Sequence, residues 1–102
     1  MGEIVARIIV SVRAYSGTVL IDTSVNVDRK WIVEEIMKFV REMYDKAVSD
    51  VDNSGFGEIY SVKTSVLVEK RWYKGSGRSF EEASSVLRSL LEKVYGSTVQ
   101  RS

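Results

Sequence analysis

The chain of 102 residues contains no cysteine, no histidine and no proline. Without cysteine there is no disulfide framework, no thiol nucleophile and no thiolate metal site. Without histidine the chain lacks the commonest general base near neutral pH and the commonest transition-metal ligand. We therefore expect a non-enzymatic protein that carries no catalytic residues, no metal site and no cofactor.

Net charge and long apolar runs are also scarce. Fifteen Lys and Arg residues against fourteen Asp and Glu residues leave a net charge of +1, whereas nucleic-acid coats and polybasic membrane binders show a larger excess. No uncharged run approaches the roughly 18 residues of a membrane-spanning helix. The start, Met1-Gly2-Glu3-Ile4, lacks the basic region of a signal peptide. We expect a cytoplasmic protein without a membrane partner.

The composition bears on the source of the chain as well. Few amide side chains, no cysteine and abundant Lys, Arg and Glu suit a thermophilic source. The absence of proline points the other way, because loops of thermophile proteins often gain proline.

The first half of the sequence has the pattern of two strands and a helix. Residues 3–15 and 19–27 alternate with a period of two and are rich in β-branched residues, which predicts a hairpin turning at Tyr15-Ser16-Gly17. Asp28 is placed to cap a helix whose apolar stripe runs to about Val48. The composition of residues 50–56 predicts a loop.

The second half follows the same order. Residues 58–73 alternate and predict either one long strand or a hairpin near Thr64, since no Gly, Asn or Asp interrupts them. Gly75-Ser76-Gly77 predicts the end of this strand region. Ser79 and Glu82 form a capping box ahead of a striped helix that stops at Gly96.

The two halves therefore resemble each other. Gly2-Glu3-Ile4 recurs at residues 57–59, and a shift of 51 residues superposes the two helix caps and the two apolar stripes. The sequence predicts a single domain, residues 1–102, made of two similar motifs (about 2–49 and 57–99) joined by the loop 50–56. The predicted fold class is α+β: an antiparallel sheet with two helices on one face, built from two β-β-α repeats. Whether the two halves share one sheet stays open.

Two segments have partial signatures of ligand binding. Asp50-Val51-Asp52-Asn53-Ser54-Gly55 opens like a calcium-binding loop, but Ser61 occupies the position that needs a bidentate glutamate. The second segment interleaves cations that could meet phosphates with aromatics that could stack on bases. Its candidate binding residues are Lys70, Arg71, Trp72, Tyr73, Lys74 and Arg78.

The residues after this basic-aromatic run carry a family resemblance. Gly75-x-Gly77-x-Ser79-x-x-x-Ala83 resembles the last strand-to-helix junction of double-stranded-RNA-binding domains. That resemblance implies an RNA-backbone grip from two lysines after the serine. Here Phe80 and Glu81 stand in their places, so the grip is missing.

The strand face opposite the apolar core positions is more apolar than a purely solvated face requires. It mixes apolar residues with cations and could cover a partner or a second copy of the chain. Its members are Val5, Ile9, Leu20, Ile59 and Leu67 together with Arg7, Arg13 and Lys63.

With the two β-β-α halves and the run from Lys70 to Gly77 in view, the whole chain resembles the small uncharacterised proteins of the Acidianus filamentous viruses, which infect hyperthermophilic archaea. The resemblance implies a viral protein in the interior of an archaeal host cell, with no assigned role and no catalytic residues. Our leading prediction is a protein- or peptide-binding module that uses the seam between the two halves, with a homodimer as one form of partner. The alternative is a nucleic-acid-binding protein that uses the basic-aromatic run.

Overall fold

The computed structural model describes residues 2–96, which form four strands, two long helices and a short 3-10 turn. The elements in chain order are β1 (Glu3–Ala14), β2 (Gly17–Asp28), the 3-10 turn (Arg29–Trp31), α1 (Ile32–Ser54), β3 (Ile59–Val68), β4 (Arg71–Gly77) and α2 (Phe80–Tyr95). The predicted α+β class and the order of two β-β-α repeats are confirmed. Residues 97–99 of the predicted second motif lie outside the described residues.

The two halves share one antiparallel sheet of strand order β2-β1-β3-β4. β1 lies in the middle and pairs with β2 along its whole length and with β3 from Ala6 to Ala14. The two hairpin turns, Tyr15-Ser16 and Glu69-Lys70, lie 54 residues apart. The tripeptide recurrence, at a spacing of 55 residues, is therefore one residue out of step with the structural repeat.

The core lies between one face of the sheet and the two helices. Alternate residues of β1, from Ala6 to Ala14, point at the helices and are at most 2% exposed. Because side chains on a strand alternate between faces, the same parity puts Val62, Val66 and Val68 of β3 in this layer. Each buried Val, Leu or Ile stabilises the fold by about 1.5–3 kcal/mol relative to an exposed one. The largest fully buried side chains are Ile8, Ile36, Leu87 and Leu91.

Helix α1 is longer than its polar end predicts. It continues to Ser54, so most of the predicted loop 50–56 is helical. Val51 is fully buried, and the core contact holds the last turn in place. Gly55 ends the helix with φ +68°, and its N–H donates to Asp52 O, as in a left-handed C-cap. The predicted loop was wrong because charged residues on the exposed side of a helix have the same composition as a loop.

The β3–β4 region is a hairpin, with its turn at Glu69-Lys70 rather than near Thr64. Both turn residues have positive φ, 52° and 67°, a conformation that usually calls for Gly or Asn. Tertiary contacts compensate, because the Glu69 carboxylate accepts hydrogen bonds from the Arg29 guanidinium and from the Tyr95 hydroxyl, the latter at 2.9 Å. The turn has no sequence signature because these distant contacts hold it.

Strand β4 runs through Gly75 and Gly77, where the sequence predicts its end. A Cβ atom at Gly75 would collide with the Ala83 carbonyl oxygen and lie 2.8 Å from the Leu87 backbone nitrogen. The missing side chain therefore lets α2 pack directly on β4. The buried Thr64 hydroxyl donates to the Gly75 carbonyl at 3.1 Å and ties β3 to the same point. The glycines mark a close approach of backbones rather than a break.

We predict that Gly75→Ala destabilises the fold by roughly 1–3 kcal/mol, because the added methyl group forces α2 away from β4. Urea denaturation followed by circular dichroism measures the change. Ser76→Ala is the matched control, since Ser76 is exposed on the other face of the same strand. Equal midpoints for both variants would contradict the close packing of α2 on β4.

The Glu69 contacts also predict an acid-sensitive contribution to stability. Hydrogen bonds from Arg29 and Tyr95 hold the pKa of the Glu69 carboxyl below its usual value of 4.5. A carboxyl whose pKa is lowered by folding stabilises the protein above its unfolded pKa and loses that contribution as pH falls through the folded pKa. Glu69→Gln should therefore unfold at lower urea than the wild type at pH 7, and the difference should shrink towards pH 2. A difference independent of pH would contradict the ionic role of Glu69.

Candidate binding surface

The sheet has one face without helices, and we call this the open face. Alternation along β4 divides the predicted basic-aromatic run between the two faces. Trp72 and Lys74 lie on the open face, whereas Tyr73 is buried under the helices, with its ring 6.3 Å from that of Tyr95. The run therefore does not form a single surface.

The other cations of the run lie apart from Trp72 and Lys74. Lys70 is in the hairpin turn, and Arg71 lies opposite the buried Val68, which puts it on the helix side of the sheet edge. Arg78 follows the strand, and its backbone N–H donates to the Glu82 carboxylate at 2.9 Å. The structure thus brings two of the six predicted residues together on one face.

The register of the sheet shows which side chains join them. Leu67 lies between Arg7 on β1 and Trp72 on β4, and the next row contains Asp22, Ile9, Ser65 and Lys74. Exposed apolar side chains extend the face outwards: Val5 and Leu20 are each 61% exposed, and Trp72 is 43% exposed. The open face is therefore an apolar patch with cations set among its members.

One residue of the predicted face lies elsewhere. The β1–β3 register shifts between Arg13 and Ala14, so that Tyr60 is an extra residue on β3. Because a single extra residue reverses the direction of the side chains that follow, Ile59 lies against the core instead of on the open face. Nothing in the sequence marks this bulge.

Charge on the open face is unevenly paired. Arg7 and Asp22 form a two-point ion pair across β1 and β2, with Nε–Oδ1 at 3.0 Å and Nη2–Oδ2 at 2.6 Å. The hydrogen bonds from Arg7 lower the pKa of the Asp22 carboxyl. Within residues 2–96, Arg13, Lys63 and Lys74 form no ion pair. They follow a diagonal across β1, β3 and β4, and the Lys74 ammonium lies 5.9 Å from the centre of the Trp72 ring.

A depression of about 560 Å³ interrupts the face at β3 and β4. Two lysines and two serines border it, and we call them the lysine–serine quartet: Lys63, Ser65, Lys74 and Ser76. Thr64, Gly75 and Val86 complete the lining. Sequence reasoning missed the quartet because its members come from two strands whose hairpin register was unknown.

The helix side of the seam between the two halves is filled. Tyr44 of α1 stacks on Phe80 of α2 with ring centres 4.4 Å apart, and the Arg41 guanidinium lies 5.3 Å from the Phe80 ring. Beneath them, β1 and β3 are joined by backbone hydrogen bonds. The accessible part of the seam is therefore the open face above β1 and β3.

The calcium-like segment is not a loop, because Asp50, Asp52 and Ser54 lie in the last turns of α1. Across residues 2–96, no group of three or more acidic side chains is arranged to hold a metal ion. In the same part of the chain, no helix is both long and apolar enough to cross a membrane.

Comparison with known proteins adds no relative to this description. No protein-family model matches the chain. No curated protein matches it, and no solved structure matches it. The resemblance to proteins of archaeal filamentous viruses therefore stays a prediction, and the functional argument rests on the open face.

Proposed function

We propose that this chain is a non-enzymatic protein- or peptide-binding module whose docking surface is the open face, centred on the seam between the β-β-α halves. The observation that supports the proposal best is the apolar patch on the face that no helix covers. Large apolar groups on a soluble surface are a common feature of interaction sites. The viral origin and the host-cell interior that the sequence suggests belong to the same proposal.

The chemistry of the patch favours a polypeptide partner. Half-buried Ile9 and Leu67 lie at its centre, with the more exposed Val5, Leu20 and Trp72 around them. Interface hot spots are enriched in tryptophan, and apolar neighbours exclude water around them. An extended segment with apolar side chains could cover this patch while its polar groups reach the surrounding cations.

A nucleic-acid partner is the second candidate, and the diagonal of Arg13, Lys63 and Lys74 beside Trp72 favours it. Sheets that bind single strands stack successive bases on several aromatic rings. In the described central rows of the open face, Trp72 is the single aromatic side chain, and the Asp22 carboxylate would repel a nearby phosphate. The polypeptide partner therefore agrees better with the surface.

We predict that peptides selected from a displayed random library against the wild-type protein bind through the open face. Trp72→Ala should weaken the binding of a selected peptide by about 30-fold, the size of a hot-spot truncation. Val5→Asp and Leu20→Asp should also weaken it, because each puts a charge into the apolar patch. Fluorescence anisotropy of the labelled peptide measures all three effects.

The matched control for these variants is Val94→Asp, which changes an exposed valine of α2 on the other side of the molecule. Binding of the selected peptide should be unchanged in that variant. Equal losses in Val94→Asp and Val5→Asp would place the site elsewhere. Binding of single-stranded DNA that weakens steeply with salt, without any peptide selected, would favour the nucleic-acid candidate.

A further inference from the structure

We propose that the lysine–serine quartet is a carboxylate-binding subsite, and that the segment docking on the open face is acidic. The inference rests on the proposed function and specifies the chemistry of its partner. The segment would place an Asp or Glu side chain in the depression and an apolar side chain against the neighbouring Trp72 ring. The quartet lies at one end of the apolar patch, so it would also fix the direction in which the segment lies.

The geometry of the quartet suits an oxyanion. Lys63 lies directly opposite Ser76, and Ser65 lies directly opposite Lys74, so the two lysines occupy diagonal corners. Short serine side chains leave the depression between the long lysine side chains. Two ammonium groups and two hydroxyl groups therefore border one space, and all four are hydrogen-bond donors.

The donors of the quartet have no protein acceptor to satisfy them. Within residues 2–96, neither lysine forms an ion pair, and neither serine hydroxyl forms a hydrogen bond with another protein group. The nearby carboxylates are engaged elsewhere, Asp22 with Arg7 and Glu82 with the backbone N–H groups of Arg78 and Ser79's cap. A ligand carboxylate would accept hydrogen bonds from the ammonium groups and be charge-assisted.

The first half of the chain serves as an internal comparison. The spacing of 54 residues between the hairpin turns makes its equivalent positions Ile9, Ser11, Leu20 and Asp22. These residues occupy the same strand positions without either lysine, so the β-β-α fold does not require cations there. The lysines are specific to the second half, which makes one end of the open face cationic and the other apolar and ion-paired.

The charge of the rest of the molecule agrees with an acidic partner. Helix α1 carries six acidic and three basic residues, and α2 carries three acidic and two basic residues. An acidic segment is therefore repelled by the helix layer and attracted to the quartet. Two lysines act as point charges suited to one or two carboxylates, whereas a chain of phosphates would need a longer cationic track.

The test is an NMR titration of the ¹⁵N-labelled protein with two synthetic hexapeptides, one alternating Glu with Leu and one alternating Gln with Leu. We expect the Glu peptide to shift the amide signals of residues 63–65 and 74–76 and to bind roughly tenfold more tightly than the Gln peptide. The double variant Lys63→Gln/Lys74→Gln should remove that difference. Lys38→Gln/Lys46→Gln removes the same charge from exposed positions of α1 and should preserve it.

The outcomes separate the subsite from the proposed function. Equal binding of both peptides to the open face would overturn the carboxylate subsite and leave the docking surface standing. Failure of both peptides, with an oligothymidine shifting the same residues, would overturn the subsite and the peptide-binding function together. An equal loss of Glu preference in both double variants would show a general charge effect, and it would also overturn the subsite.

Discussion

The pairing of β1 with β3 is the constraint on which the rest of the structure depends. It joins two hairpins that each have one apolar face into a single sheet, so both apolar faces point the same way. The two helices then cover that side together, and the Tyr44–Phe80 stack closes the space between them. A separate sheet in each half would have buried both faces or neither. The shared sheet leaves one broad face without a cover.

Much of this arrangement could be predicted from local patterns. Period-two alternation identified β1, β2 and β3, and the capping box at Ser79 and Glu82 marked the start of α2, where the Ser79 hydroxyl accepts from the Glu82 N–H. These signals are local, because a strand face or a helix cap involves residues a few positions apart. The order of two β-β-α repeats followed from them.

The errors came where distant residues decide local structure. The Glu69-Lys70 turn depends on Arg29 and Tyr95, and neither residue belongs to the hairpin. Gly75 looked like a strand breaker because its function, admitting the backbone of α2, is visible only in three dimensions. Burial of Val51 likewise extends α1 through a segment whose composition predicts a loop.

The same reasoning explains why the binding surface could be predicted only in part. Trp72 and Lys74 were identified from the basic-aromatic run, and Lys63 was recognised on the non-core face. Their assembly with Ser65 and Ser76 needed the register of β3 against β4. A run along the chain is a poor guide to a surface on a sheet, because alternate residues go to opposite faces and neighbours come from other strands.

The central claim is that the open face, rather than the helix layer, is the docking surface. Intermolecular nuclear Overhauser effects between the protein and a bound, selected peptide test this most directly. The account predicts contacts from the peptide to the side chains of Val5, Leu67 and Trp72. Contacts to the exposed side chains of α1 and α2, with none to these three residues, would contradict it.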